Sequence, residues 1–85
     1  MVIFGEQIRA ARGLLGWSQA YLAKTAGVGP MTVKRFEANK GPVSGTIASL
    51  TRIQSALEEA GIHFVPPDET GSFGVRLNPL KKQKR

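Results

Sequence analysis

Apolar residues recur three and four positions apart through the first sixty residues, and the period then shortens to two. Ile8, Ala11 and Leu15 form one such stripe, which predicts a helix from about Glu6 to Leu15 with Gly16 as its stop. Gly13 lies inside it and costs about 1 kcal/mol relative to Ala. Leu22, Ala23 and Ala26 mark the buried side of a second, short helix, and two alanines among the three let a neighbour approach closely. Ser18 is its expected N-cap, Trp17 and Leu22 sit at the positions of a hydrophobic staple, and Gly27 supplies the stop. Tyr21 stands where a capping box would need Glu or Gln.

Gly29-Pro30 opens a third helix, since proline at the first helical position sacrifices no hydrogen bond. Val33 and Phe36 form its apolar side, with Met31, Lys34 and Arg35 opposite and Asn39 placed to close it. Lys40 to Ser44 reads as a loop. Ser44 would cap a longer helix from about Gly45 to Ala60, with Ile47, Leu50, Ile53 and Leu57 as its stripe and Gly61 as its stop. Whether this segment is one helix or two, divided near Thr51, the pattern leaves open. Ile62-His63-Phe64-Val65 and Ser72 to Leu77 then read as the strands of a β-hairpin with Pro66 to Gly71 as its loop. A lone hairpin is only marginally stable. Its apolar face must pack on the fourth helix or on a second subunit, and its free edge is suited to pairing with a symmetry mate.

Composition narrows the picture. Eighty-five residues allow one small core, and 41% hydrophobic with 21% charged residues is globular usage. Cysteine is absent, which removes disulfide and thiol chemistry. No apolar run reaches the ~20 residues of a membrane span, and the first ten residues lack the layout of a secretory signal. The net charge is +6, but Lys81, Lys82, Lys84 and Arg85 crowd the last five positions, and setting those four aside leaves +2. Bulk charge is thus a weak argument for a polyanionic partner, and placement has to carry it.

Catalysis has little to draw on. His63 is the single histidine, no other group makes a metal set with it, and no cofactor is expected. Glu58 and Glu59 diverge by about 100° on a helix, which is wrong for a paired acid and base. The glycines form no phosphate loop. The chain reads as a binding protein.

Gln19, Leu22-Ala23, Ala26-Gly27-Val28, Thr32-Val33 and Phe36-Glu37 stand at offsets that resemble the lambda-repressor/Cro-like (Xre-type) helix-turn-helix family across roughly residues 6 to 60. The resemblance implies a mainly α fold: a lambda-repressor-like four- or five-helix bundle with a helix-turn-helix, here with a short C-terminal β-hairpin. The expected divisions are a DNA-binding domain over 1–61, a hairpin extension for dimerisation over 62–78, and a basic disordered tail over 79–85. An arginine on a core-facing stripe needs a partner, and Glu37 is the lone acid between the first and fourth helices. In the family, Arg and Glu at these offsets form a largely buried salt bridge, which implies Arg12–Glu37; the alternative is two solvated charges.

By the same resemblance, Gln19 contacts a phosphate, beside Ser18 at the same helix start. Arg35 is the best candidate for guanine readout, with Lys34, Met31 and Pro30 as further base contacts and Thr32 and Lys40 as phosphate contacts. Gly29-Pro30 departs from the family, since it leaves the start of the third helix without a side-chain donor, and Ala38 replaces a frequent Asn. Leu57, Ile62, Phe64, Phe73 and Val75 are the expected dimer interface. The implied function is a sequence-specific transcriptional regulator, a repressor or autoregulator, binding a palindromic operator on double-stranded DNA as a homodimer in a bacterial cytoplasm, and nucleoid-associated when bound. RNA polymerase is a further possible partner. The rival is an antitoxin-type module that binds a toxin, with DNA binding secondary. A salt-sensitive, nanomolar operator for the protein alone separates the first from the second.

Overall fold

The computed structural model describes residues 3–38 and 47–82. Helix α1 spans Gly5–Leu15, α2 Gln19–Ala26, α3 Pro30–Ala38 and α4 Ile47–Glu59; strands β1 (Ile62–Val65) and β2 (Gly74–Leu77) follow, and α5 (Pro79–Lys82) is a single turn. The fold is mainly helical with a small two-stranded antiparallel sheet, as the pattern predicts.

The first two helices end by one device. Gly16 and Gly27 adopt left-handed backbone with φ of 72° and 76°, which only glycine adopts at no steric cost. Past each glycine an apolar residue ties back to the helix: Trp17 N donates to Arg12 O at 3.0 Å and Val28 N to Ala23 O at 3.0 Å. Trp17 and Val28 then pack on the core. Ser18 Oγ accepts from Tyr21 N at 3.0 Å and so caps α2. The Trp17 ring meets Tyr21 edge-on at 4.8 Å.

Ile8, Ala11, Leu15, Leu22, Ala23, Val33, Phe36, Ile53 and Leu57 form one buried cluster that also takes in Ile62 and Phe64 from β1. Fully burying each of the larger side chains contributes about 1.5–3 kcal/mol. Helix α4 is continuous over Ile47–Glu59, which answers the question of a division near Thr51. Residues 45 and 46 lie outside the described residues, as do Asn39, Lys40 and Ser44. The expected stripe fails at its first member: Ile47 is 81% exposed. At about 100° per residue, Ile47 stands some 80° round the helix from Leu57. It therefore projects away from the core.

The sheet pairs Ile62 with Leu77, His63 with Arg76, Phe64 with Val75 and Val65 with Gly74. Ile62 and Phe64 face inward, while His63 and Arg76 are exposed on the outer face. The hairpin thus packs on its own chain, against α1 and α4. This corrects the interface assigned to Leu57, Ile62 and Phe64, which are buried within the monomer and have almost no surface to offer a second subunit. Phe73 stacks on Phe4 with ring centroids 4.1 Å apart, and Val75 is half-buried against the core.

Strand β2 begins two residues later than expected because Ser72 belongs to the turn. Asp68 Oδ1 accepts from Thr70 N, Ser72 N and Thr70 Oγ1, and Asp68 N donates to Ser72 O. The tail is also corrected in part. Pro79–Lys82 is helical, with Asn78 Oδ1 accepting from Leu80 N at 3.0 Å and proline at the first helical position.

Candidate nucleic-acid interface

Helix α3 is anchored from beneath. Arg12 Nε stands 2.6 Å from Glu37 Oε2 and Arg12 Nη2 2.9 Å from Glu37 Oε1, a bidentate pair, and Arg12 Nη1 donates to Trp17 O at 2.9 Å. The side chains are 18% and 4% exposed. The hydrogen bonds to Glu37 hold the Arg12 guanidinium above its already alkaline range, against the opposing effect of burial. The charged residue on the α1 stripe is therefore matched by the one acid that α3 carries.

With Val33, Phe36 and Glu37 buried, the helix turns Met31, Lys34, Arg35 and Ala38 outward. Met31 is 64% exposed, and neither Lys34 nor Arg35 forms an ion pair among the described residues. Pro30 is exposed at the start of the helix and Thr32 is half-buried. The result is a rod with two cations and a flexible thioether on one side, fixed to the body along the other. The turn that leads into it is braced by Arg52 of α4, whose Nη1 donates to Gly27 O at 3.2 Å.

Gln19 is placed at the first residue of α2, but its side chain has a partner in the protein: Nε2 donates to Glu37 Oε1 at 3.1 Å. One amide hydrogen is thereby used and the other, with Oε1, is left for an external group. Ser18 Oγ is occupied as a cap acceptor and retains its hydroxyl hydrogen. The structure thus brings Ser18, Gln19, Arg12 and Glu37 together beside α3, while Lys40 falls outside the described residues.

Two residues escaped the sequence reading. Gln7 is 1% exposed on α1, and its Nε2 donates to Val65 O at 3.1 Å and Gly74 O at 2.9 Å, while its Oε1 accepts from Phe4 N at 2.8 Å. The one available signal was a glutamine three residues after the N-cap Phe4, the position from which a side chain reaches back to the cap. Arg9 is exposed, and its Nη1 donates to Glu37 O at 3.3 Å; nothing in the linear pattern sets it apart from a solvated arginine. Among the described residues no cluster of acidic or histidine side chains is suited to a metal, and no helix is long and apolar enough to cross a membrane.

Comparison with known proteins agrees with this geometry. A family model described as helix-turn-helix matches residues 8–50, about half of the chain. Comparison with curated proteins gives no match. The matched span takes in the residues that build and anchor the exposed helix, so the chain belongs to the helix-turn-helix family, of the lambda-repressor-like (Xre) type, and is a DNA-binding transcriptional regulator.

Proposed function

We propose that the protein is a repressor that binds a palindromic operator as a homodimer and controls transcription by covering a promoter. The observation that carries this reading is the exposed Met31–Lys34–Arg35 face on a helix whose opposite side is locked by Arg12–Glu37. A recognition helix must be rigid before it binds, because ordering it on the DNA would subtract from affinity. In this reading Arg35 bonds guanine O6 and N7, Lys34 reaches a base or phosphate, and Met31 and Pro30 meet thymine methyl groups. Gln19, Ser18, Thr32 and Lys40 grip the sugar–phosphate backbone, Gln19 with the amide hydrogen that Glu37 leaves free.

The dimer contact is supported by less of the molecule than the sequence suggested, since the apolar face of the hairpin is already covered. The two-stranded sheet still presents strand edges whose backbone groups are suited to pairing with a second copy. Selection of bound duplexes from a random pool tests the whole reading. The expected product is a symmetric site with half-sites about one helical turn, or ~10 base pairs, apart. Arg35→Ala should lose roughly 1–3 kcal/mol per half-site and relax preference at one base pair. An equal loss on every sequence would assign Arg35 to phosphate, and an asymmetric single half-site would remove the dimer.

A further inference from the structure

We infer that Arg9 is a DNA phosphate ligand, one that also screens the negative end of the recognition helix. The inference rests on the DNA-binding reading above. It starts from a single bond: Arg9 Nη1 donates to the carbonyl oxygen of Glu37 at 3.3 Å. Glu37 is the penultimate residue of α3, so the guanidinium is parked at the carbonyl end of that helix. Here the helix dipole places a partial negative charge.

A helix-turn-helix protein reads base edges with the start of its recognition helix. The far end then leaves the groove beside the sugar–phosphate wall, where unsatisfied carbonyls and phosphate oxygens repel one another. A cation between them reverses the sign of that contact. Arg12 is unsuited to the task, because its Nε, Nη1 and Nη2 are already committed to Glu37 and Trp17 and it is largely covered. Arg9 is exposed and pairs with no acid among the described residues. Of the five N–H groups of a guanidinium, one is on the Glu37 carbonyl, and the rest are free to bind a phosphate oxygen. The Glu37 carbonyl also limits where the arginine can swing, so the charge is held at the helix end before DNA arrives.

Such a contact is blind to sequence, and its test needs no operator. The intact protein, Arg9→Ala and Arg9→Lys are titrated by fluorescence anisotropy against one labelled mixed-sequence duplex across a salt series. One lost phosphate contact makes the slope of log affinity against log salt shallower by about 0.9. The advantage of the unaltered protein over Arg9→Ala should therefore shrink three- to fourfold between about 50 and about 200 mM salt. Arg9→Lys keeps the charge and should keep the slope. Thermal melts of all three should coincide within a few degrees, because one long hydrogen bond from an exposed side chain contributes little.

An unchanged slope in Arg9→Ala would overturn the inference and leave the DNA-binding reading standing. A slope lost equally in Arg9→Lys would also overturn it, because the arginine would then act only by bracing α3. If the unaltered protein shows no salt-dependent affinity for the duplex, the DNA-binding reading and this inference fall together.

Discussion

Helix α1 anchors two regions of the molecule, and it does so by different chemistry. Toward α3 it presents Arg12, which meets Glu37 as a bidentate ion pair. Toward the hairpin it presents Gln7, a neutral amide that spans the carbonyls of the last strand pair. A charge removed from water must find an opposite charge, and losing either member leaves the other stranded. A neutral amide asks for less, and losing it forfeits a few hydrogen bonds. The helical half is thus held by a contact that is strong to break, and the hairpin by one that is cheaper to open. Rigidity is concentrated where a recognition surface needs it.

Glu37→Ala should bring the largest loss, about 3–5 kcal/mol in urea unfolding. A domain of this size has only about 4–13 kcal/mol in total, so the variant stands near the edge of folding. Replacing both partners by apolar residues, Arg12→Met with Glu37→Leu, should recover most of that loss, since no charge is left unpaired. A cost below about 1 kcal/mol for Glu37→Ala would mean that the pair behaves as two solvated ions, and the comparison would collapse.

Gln7→Ala should cost less, about 1–3 kcal/mol. The loss should be local, with amide hydrogen exchange rising in β1 and β2 and unchanged in α2 and α3. Exchange that rose evenly through all elements would show the hairpin and the helices to be a single cooperative unit. Gly13→Ala sharpens the comparison from the stabilising side. Gly13 is exposed in the last turn of α1, its φ is not positive, and an added Cβ meets nothing within 4 Å. A gain of about 1 kcal/mol is expected, read as a rise in Tm of several degrees. No gain would mean that α1 is held so firmly by its anchors that its own propensity no longer counts.

The smallest effect belongs to the hairpin turn. The hydroxyl of Thr70, then the backbone N–H groups of Ser72 and Thr70, hold the Asp68 carboxyl below its ordinary range. A group depressed in the folded state stabilises above its unfolded pKa, near 3.9, and loses that contribution as pH falls through the folded value. Acidification below about pH 4 should therefore loosen the 68–72 turn, visible as shifts of the Thr70 and Ser72 amides by NMR. Asp68→Asn should remove that pH response. A turn unmoved by acid would place the stability of the hairpin in Gln7, the Phe4–Phe73 stack and the buried Ile62 and Phe64.

How far the molecule could be read in advance depended on whether the physics was local. The start of α3 was legible because Pro30 and the glycine stop before it act within a few residues, and the Val33–Phe36 spacing sets which side is buried. The same rule was available at Asn78-Pro79, yet the lysines that follow argued for disorder, and the cap won for Pro79–Lys82. Ile47 shows the limit of spacing arguments: a plausible three-residue step from Leu50 still carries it off the stripe when the helix is wound out to Leu57. The site divides in the same way. The outward positions of Met31, Lys34 and Arg35 follow from helical geometry, whereas Arg9 and Gln19 acquire their meaning from Glu37, which is distant in sequence.

By itself the sequence determined the helix-turn-helix, its caps and stops, the face that α3 turns outward, and the change of period that makes a hairpin. All of these rest on backbone conformation and on side chains at most four residues apart. Only the tertiary structure decided that the hairpin covers its own chain and that Gln7 holds its loop end. It likewise decided that Glu37 gathers Arg12, Gln19 and the Arg9 contact at one end of the recognition helix. Such partnerships depend on which surfaces meet once the core closes, and no local pattern encodes that meeting.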